Sequence, residues 1–259
     1  MQVTRVVPLY AEVDHHLGGR WTSLRTDHRE WLWHRPDPAR AGASPNAAFV
    51  DAGGLEECVP TVRGLPDHGD AWSRPWRETP DGAQVDCPDF TLTRALGSEA
   101  GAIVADYELR ATPGYRFVWA AHALLDVSPF ARLAAPPGTS VLITDPVPAP
   151  RLWPAGLDAL GPDDGTATGA VLERGQIRVV DGEQQLDLRV ECADQPVSIA
   201  LWRNLRGWPE DDPYRSIGVE PMLGRTFDRA DTSRPVAVVP ASGSVRWRLT
   251  ITALVGGTA

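Results

Sequence analysis

The chain has no lysine, and all of its 25 basic residues are arginines. A Schiff-base mechanism is therefore excluded, because it requires a lysine amine. Long apolar runs are missing too, since no stretch approaches the ~18 residues that a membrane-spanning helix needs. The amino-terminal segment lacks the apolar stretch of a signal peptide, so we expect a cytoplasmic protein that has no membrane partner.

Cysteine is scarce, and the three cysteines (Cys58, Cys87 and Cys192) include no CxxC pair. This pattern is not typical of a disulfide framework or of a structural zinc site. His15 and His16 are adjacent and would point to opposite faces of a strand, so they are poor ligands for one ion. We therefore predict no metal site.

Positive charge is outweighed by negative charge, and the formal net charge is −9. An acidic surface does not attract nucleic acid or anionic lipid, so we expect neither as a partner. The sequence also has no glycine-rich phosphate loop, no GxSxG elbow and no HExxH zinc motif. Its motifs therefore predict no nucleotide cofactor.

Helical periodicity is nearly absent, whereas alternation of apolar and polar residues is frequent. The clearest case is 245–251, where Val, Trp, Leu and Ile alternate with Arg and Thr, as in a half-buried strand. Asp181-Gly182 predicts a hairpin turn between two such runs. Further strands are predicted over 3–13, 21–25, 47–51, 103–110, 141–144, 176–180, 186–190, 198–202 and 236–239.

Glycines and prolines, 24 of each, separate these runs. Many short strands over this length are typical of a β-sandwich or barrel. We therefore predict an all-β fold that forms a single domain over residues 1–259, with short helices near 155–160 and 226–230.

The segment 115–127 differs from the other predicted strands because both of its faces are apolar. Trp119 belongs to one face and His122 to the other. A strand of this kind is typically covered on both sides, which would remove His122 from water and make its partners important. The alternative is a core histidine that is satisfied by one hydrogen bond.

Two further titratable residues stand in distinctive settings. His68 lies in a turn-forming run between Asp67 and a glycine, and Glu220 precedes Pro221, which favours an extended backbone. Two imidazoles and one carboxylate, if brought together, suit proton transfer on a neutral substrate. The alternatives are an ordinary loop histidine and an ordinary surface glutamate.

Taken together, the motifs resemble the aldose 1-epimerase family, also called galactose mutarotase-like. Six segments carry the resemblance in the family's order: GGRWTSL (18–24), WLWH (31–34), GGLEECVPTV (53–62), LPDHG (65–69), WAAH (119–122) and YRSIGVEP (214–221). The third is similar to the family's GGWxECFPTV stretch and the fourth to its LPDHG stretch. The fifth matches the strand of the catalytic histidine, and the sixth matches the yxxlGiEP stretch of the catalytic glutamate.

The resemblance implies a large antiparallel β-supersandwich and an isomerase that interconverts the α and β anomers of a hexose or a related sugar. Glu220 would take the proton from the anomeric hydroxyl, His122 would protonate the ring oxygen, and His68 would hydrogen-bond the substrate. No metal or organic cofactor is implied, and we expect a monomer or a homodimer whose partner is a small sugar. An ion-paired neighbourhood would lower the pKa of Glu220 and keep it ionised.

We predict that five further residues bind the substrate: Asp67, Glu57, Trp72, Arg74 and Trp202. Tryptophan beside polar groups suits the face of a sugar ring. Arg74 is included because galactose-type members carry an arginine in a different Asn-Arg setting, for which Arg74 or Arg63 would substitute.

Two other functions are compatible with the sequence. One is a carbohydrate-binding or sensing protein that keeps the cleft without turnover. The other is a hexose-phosphate mutarotase, which would need arginines in the cleft, and Arg203, Arg206 and Arg74 are the candidates. Because fold does not fix function, a tailoring enzyme or a lyase on a similar sandwich is also compatible.

Overall fold

The computed structural model describes residues 4–256, which form antiparallel strands and one four-residue helix, α1 (Pro38–Ala41). The strands are β1 (Thr4–Val7), β2 (Tyr10–Asp14), β3 (Arg20–Thr26), β4 (Arg29–Glu30), β5 (Leu55–Cys58), β6 (Arg77–Thr79), β7 (Gly82–Asp86), β8 (Phe90–Glu99), β9 (Ala102–Ala111), β10 (Arg116–Phe117), β11 (Trp119–Leu125), β12 (Arg132–Ala134), β13 (Ser140–Ile143), β14 (Ala149–Leu152), β15 (Thr166–Leu172), β16 (Gln176–Asp181), β17 (Gln184–Glu191), β18 (Val197–Leu205), β19 (Arg215–Leu223), β20 (Ala237–Val238) and β21 (Ser244–Gly256). Within this part of the chain, no helix has the length and apolar composition that crossing a membrane requires.

Two large sheets contain nearly all of these strands. One has nine strands in the order β12-β16-β17-β21-β9-β8-β7-β6, with β1 added beside β21. The other has ten strands in the order β14-β13-β15-β18-β19-β11-β5-β3-β2, with β4 beside β3. The largest apolar cluster takes side chains from both sheets, among them Leu188 and Ile251 from the first and Ala123 and Val219 from the second. The predicted all-β sandwich is therefore confirmed.

The strands that the sequence marked most clearly form as expected. In β21 the residues Val245, Trp247 and Leu249 are buried, and the polar residues between them are more exposed. The hairpin predicted at Asp181-Gly182 joins β16 to β17, and Gly182 adopts the positive φ of 63° that such a tight turn requires. The alternation of apolar and polar residues in the sequence thus predicts these strands of the nine-stranded sheet.

Both predicted helices are wrong. Residues 155–160 form a turn followed by irregular chain, because Ala155 (φ 51°) and Gly156 (φ 77°) adopt a left-handed backbone that a right-handed helix excludes. Residues 226–230 form bends and a turn that local side-chain hydrogen bonds stabilise. The Asp228 carboxylate, for example, accepts the backbone N–H of Ala230 at 2.8 Å. The helix that does form, α1, has an Asp-Pro start, a signal that was readable in the sequence.

Two predicted strands need correction. Residues 47–51 form a loop, and Phe49, Val50 and Asp51 of this loop line a cleft on the ten-stranded sheet. The strand predicted over 3–13 is interrupted at Pro8 and Leu9 and becomes β1 and β2, while Val3 lies outside the described residues. Proline has no backbone N–H to donate, which explains the break.

The central strands of the ten-stranded sheet are covered on both faces, as predicted for 115–127. All seven residues of β11 are buried. Its odd-numbered side chains, such as Trp119, pack between the sheets. On the opposite face, Ala120 belongs to a second, smaller apolar cluster, and His122 and Leu124 line a cleft. That cluster consists of Cys58, Val62, Val118, Ala120, Val171, Ala200, Met222 and Val236. The outer face of this sheet is therefore a protected surface on which a site can form.

Candidate active site

His122 and Glu220 meet on the outer face of the ten-stranded sheet. Strands β11 and β19 are antiparallel neighbours, and their register pairs Ala120 with Met222 and Leu124 with Gly218, so that His122 stands opposite Glu220. Nε2 of His122 lies 3.9 Å from Oε1 of Glu220. Both side chains are nearly buried, with exposed fractions of 8% and 3%. The sheet thus pairs an imidazole and a carboxylate that are far apart in the sequence.

Gly218 makes room for the glutamate. A Cβ at Gly218 would overlap Oε1 of Glu220 and would lie 3.0 Å from the Cβ of Trp202. The carboxylate therefore lies back over the bare backbone of the glycine. This close approach explains why a glycine stands two residues before the glutamate in the GVEP motif.

His68 reaches the same place from the loop after β5. Its ring stacks on Phe49, with centroids 3.6 Å apart, and stands edge-on to His122 at 5.2 Å. Its Nδ1 lies 2.9 Å from Oδ1 of Asp67. The backbone N–H of His68 donates to the carbonyl of Val62 at 3.0 Å, which holds the loop against the sheet. The three predicted catalytic side chains are therefore close together.

Gly69 fixes the position of this loop. Its φ is 81°, and a Cβ there would overlap the carbonyl of Val59. We expect Gly69→Ala to lower the free energy of unfolding by more than ~1 kcal/mol, from left-handed strain and overlap together. Urea denaturation measures the loss. Gly114→Ala is the control, because Gly114 (φ 85°) has no atom within 4 Å of an added Cβ and would show the strain alone. Equal losses in the two variants would contradict the overlap.

Burial dominates the electrostatics of Glu220. It raises the pKa of this carboxyl, while the positive charges of His122 and Arg63 lower it only in part. The expectation that an ion-paired neighbourhood lowers the pKa of Glu220 is therefore wrong in direction. A buried carboxylate with a raised pKa is a stronger base than an ordinary glutamate.

For His68, in contrast to Glu220, the pKa is lowered. Burial lowers the pKa of its imidazole, although Asp67 acts in the other direction. The hydrogen bond to His68 lowers the pKa of Asp67, so this carboxylate is ionised and can only accept. Nδ1 of His68 must then donate to Asp67, and a neutral ring presents a lone pair at Nε2. The neutral ring of His68 can therefore accept a hydrogen bond at Nε2.

Glu57, predicted to bind the substrate, lies on the wrong face for that role. It pairs in register with Ala121, whose side chain points between the sheets. Its carboxylate accepts hydrogen bonds from Arg94 (2.6 Å), Tyr107 (2.9 Å) and the indole N–H of Trp119 (2.8 Å). Because successive side chains of a strand alternate in direction, Glu57 belongs to the core of the sandwich.

Glu56, its neighbour, is the carboxylate on the catalytic face. It pairs in register with His122 and is buried. Arg40 donates to it twice, from Nε at 2.8 Å and from Nη2 at 3.0 Å, and Nε of Arg20 lies 3.5 Å from the same carboxylate. A buried ion cluster thus stands behind His122, and sequence reasoning missed it because the register between β5 and β11 was unknown.

Trp72 and Arg74, also predicted to bind the substrate, do not line the cleft. Trp72 is buried edge-on to Phe49, at 5.0 Å between centroids. Arg74 points to Asp70, with Nη2 and Oδ1 3.5 Å apart. Trp72 therefore supports the ring under His68 without facing the cleft itself.

The cleft that is lined by His68, His122 and Glu220, the three predicted catalytic residues, has a volume of about 720 Å³. Asp67 and Trp202, both predicted to bind the substrate, line it. Arg63, the alternative to Arg74, lines it as well. Five of the other lining residues were not among the predicted site residues: Phe49, Asp51, Asp145, Trp208 and Tyr214.

Tyr214 forms one end of this cleft. Its hydroxyl donates to Oδ2 of Asp51 at 2.5 Å, and its ring lies between the stacked ring of Trp33 and the guanidinium of Arg35. Burial and the nearby Asp51 carboxylate raise the pKa of Tyr214, so it remains a donor. The sequence feature that could have identified Tyr214 is its position at the start of the YRSIGVEP segment. Asp51 lies in a loop without a recognisable motif or periodicity, so the sequence offered no such indication for it.

No group of three or more His, Cys, Asp or Glu side chains within residues 4–256 is arranged to hold a metal ion. His15 and His16, the adjacent histidines, lie in the turn after β2, and Nδ1 of His15 is 3.3 Å from Glu78. Neither of these two histidines lines the cleft.

The chain matches no model of a known protein family and no curated protein. Solved structures do resemble it. A protein from Synechocystis sp. PCC 6803 has a TM-score of 0.71 at 13% identity, over 98% of this chain and 96% of that one. A candidate aldose 1-epimerase from Escherichia coli K12 has a TM-score of 0.70 at 15% identity, over 97% and 99%. A galactose mutarotase-like protein from Lactobacillus casei ATCC 334 has a TM-score of 0.66 at 14% identity, over 98% and 100%. The resemblance drawn from the six motifs is thus confirmed in the fold.

Proposed function

Because the fold is that of galactose mutarotase-like proteins, we propose that this protein is an aldose 1-epimerase that acts on a hexose or a related sugar. The observation that carries the proposal is the separation of 3.9 Å between Nε2 of His122 and Oε1 of Glu220 inside the cleft. This separation is too long for a direct hydrogen bond. Each group can therefore contact one of the two oxygens that are bonded to C1 of an aldose.

The reaction follows from these two contacts. Glu220 takes the proton of the anomeric hydroxyl while protonated His122 donates its proton to the ring oxygen, and the bond between C1 and the ring oxygen breaks. The open aldehyde rotates about C1–C2. Closure then occurs with the roles reversed: His122 takes the proton back from the hydroxyl, which attacks C1, and Glu220 returns its proton to the carbonyl oxygen. No atom is gained or lost, and both groups end in their starting states.

The environments of Glu220 and His68 suit these roles. Burial raises the pKa of Glu220, which strengthens it as a base. The lone pair at Nε2 of His68 would accept a hydrogen bond from a sugar hydroxyl and hold the ring in place. General acid and general base each contribute roughly 10²–10⁴-fold, which suffices for a reaction that already proceeds slowly in water.

The charge of the cleft favours an unphosphorylated sugar over a hexose phosphate. Arg35 and Arg63 line the cleft, and they form ion pairs with Asp212 and Asp145, respectively. The arginines proposed from the sequence to bind phosphate are engaged elsewhere: Arg203 donates to the carbonyl of Leu160 and Arg206 to the carboxylate of Asp163. The carboxylates that line the cleft outnumber these two arginines, and they would repel a phosphate.

Anomer exchange measured by magnetisation-transfer NMR tests the proposed function. The panel is glucose, galactose, other aldoses and glucose 6-phosphate, and we expect acceleration for an unphosphorylated sugar. Binding of a sugar without any acceleration would instead support a sensing protein. Stronger acceleration for glucose 6-phosphate than for any free sugar would overturn the charge argument.

His122→Asn is expected to lower the exchange rate by roughly 10²–10⁴-fold, because asparagine keeps a hydrogen-bonding group but cannot donate a proton to the ring oxygen at neutral pH. The same NMR experiment measures this loss. His28→Asn is the control, since His28 is exposed in the turn between β3 and β4. A full rate in His122→Asn, or an equal loss in His28→Asn, would contradict the role of His122.

A further inference from the structure

The cleft continues past the catalytic pair along β18 and β19. The catalytic face of β19 bears Glu220, then Gly218, then Ser216, and β18 places Trp202 opposite Gly218 and Asn204 opposite Ser216. Antiparallel strands rise roughly 3.4 Å per residue, so Trp202 stands about 7 Å along the sheet from Glu220. Trp202 therefore lies beside the ring whose C1 is held at the catalytic pair.

Trp208 lies beyond Trp202 in the same direction. Its ring centroid is 6.2 Å from that of Trp202 and 6.4 Å from that of Tyr214. Its side chain lines the cleft and is 49% exposed, whereas most of the other tryptophans of this chain are buried. The two aromatic neighbours meet the indole edge-on, and about half of its surface remains exposed at the end of the cleft.

A built turn holds this indole in place. Asn204 is fully buried, and its Oδ1 accepts the backbone N–H groups of Gly207 (2.9 Å) and Trp208 (3.1 Å). Its Nδ2 donates to the carbonyl of Trp208 at 2.8 Å. Burying an amide is unfavourable unless its hydrogen bonds are made, and here they are made to the turn that presents Trp208. The position of the indole is thus fixed before any ligand arrives, which lowers the entropic cost of binding.

We propose that Trp208 forms a second sugar subsite, and that the protein accepts 1,4-linked disaccharides that have a free reducing end. This inference rests on the proposed function. The reducing ring would lie beside Trp202 with its C1 at the catalytic pair, and the second ring would stack its apolar face on Trp208. O4 lies across the ring from C1, so a 1,4 linkage directs the second ring away from Glu220, towards Trp208.

Two further observations support this occupant. The volume of about 720 Å³ lies high in the range of roughly 300–1,000 Å³ for small-molecule pockets and exceeds the needs of one pyranose. The ion pair between Arg35 and Asp212 lies at the same end, since the Arg35 guanidinium is 4.3 Å from the centre of the Tyr214 ring. Charged groups beside an aromatic surface can hydrogen-bond the hydroxyls of a sugar that stacks there.

The test compares the anomer exchange of glucose, maltose and cellobiose in the wild type, Trp208→Ala, Trp208→Phe and Phe130→Ala. We expect Trp208→Ala to lower the ratio of kcat/KM for the preferred disaccharide to kcat/KM for glucose by roughly tenfold, through KM. Trp208→Phe should retain most of the ratio. Phe130→Ala, which removes an exposed ring outside the cleft (89% exposed), should leave the ratio unchanged.

An unchanged ratio in Trp208→Ala, with glucose still turned over, would overturn the second subsite and leave the proposed function standing. If the wild type accelerates no sugar, the proposed function fails, and calorimetric titration then decides the subsite. Tighter binding of the disaccharide than of glucose, lost in Trp208→Ala, supports the subsite. Equal binding of both sugars overturns it.

Discussion

Glu220→Gln is expected to lower the rate of anomer exchange by roughly 10²–10⁴-fold and to leave the protein folded. Glutamine keeps the shape of the side chain over Gly218 but cannot take the proton of the anomeric hydroxyl. The loss should appear in kcat, because the contact that disappears is one made during proton transfer. Magnetisation-transfer NMR at several sugar concentrations separates kcat from KM. A variant that keeps the full rate would exclude Glu220 as the base.

The same variant should be at least as stable as the wild type at pH 8, which separates loss of function from loss of fold. Burial raises the pKa of Glu220 above its ordinary value of 4.5, so between these two pKa values the folded protein binds more protons than the unfolded chain. Wild-type stability therefore rises as the pH falls through this window, whereas the variant lacks this contribution. Thermal denaturation between pH 8 and pH 5 measures the difference. A wild type that is more stable than the variant at pH 8 would contradict the unfavourable burial of the carboxylate.

The fold was largely predictable because its main signal is local. In β21 and β17 the alternation of buried and exposed side chains is present in the sequence itself, and the sheets follow it. The failures lie where distant contacts override local preference. Residues 47–51 have strand-like composition, yet they form a loop because Phe49 stacks on His68 and Asp51 accepts the hydroxyl of Tyr214.

The candidate site was predictable only in part, because the register between two strands cannot be deduced from the sequence of either strand alone. The motifs named Glu220, His122 and His68, and the structure brings these side chains together. Which glutamate of β5 shares their face depends on the pairing of β5 with β11, and without that register the prediction named Glu57, where the structure places Glu56. Loop residues such as Asp51 carry no periodicity at all, so only the fold could place them in the cleft.

A buried ion pair supports the structure behind the site. Arg40 and Glu56 are both nearly fully buried and form a bidentate ion pair. Nε of Arg40 lies 2.8 Å from Oε1 of Glu56, and Nη2 lies 3.0 Å from Oε2. Removing one partner of a buried pair leaves an uncompensated charge and typically costs about 3–5 kcal/mol. Burial also raises the pKa of Glu56, which Arg40 counteracts. The ion pair with Arg40 thus favours the ionised form of the carboxylate that stands opposite His122, against the effect of burial.

Arg40→Met is therefore expected to lower the free energy of unfolding by about 3–5 kcal/mol at pH 8. The loss should shrink as the pH falls, because Glu56, left with Arg20 at 3.5 Å as its remaining cationic neighbour, then takes up a proton in the folded state. A raised carboxyl pKa favours folding at lower pH. Urea denaturation at pH 8 and pH 6 measures both effects. Arg110→Met is the control: the Arg110 side chain is 65% exposed, and its partner Glu108, at 2.9 Å, keeps a second partner in Arg246, so the change should stay within ~0.5 kcal/mol.

A double-mutant cycle with Glu56→Gln separates the charge from the packing. Arg40 also donates to the carbonyls of Leu17 and Trp72, and these bonds are lost whether or not Glu56 is ionised. We expect Arg40→Met to cost less in the Glu56→Gln background, with a coupling of roughly 1–3 kcal/mol, because no charge is then left unpaired. Equal losses in both backgrounds would show that Arg40 stabilises the fold only through its carbonyl contacts, and that the carboxylate beside His122 needs no partner to remain buried.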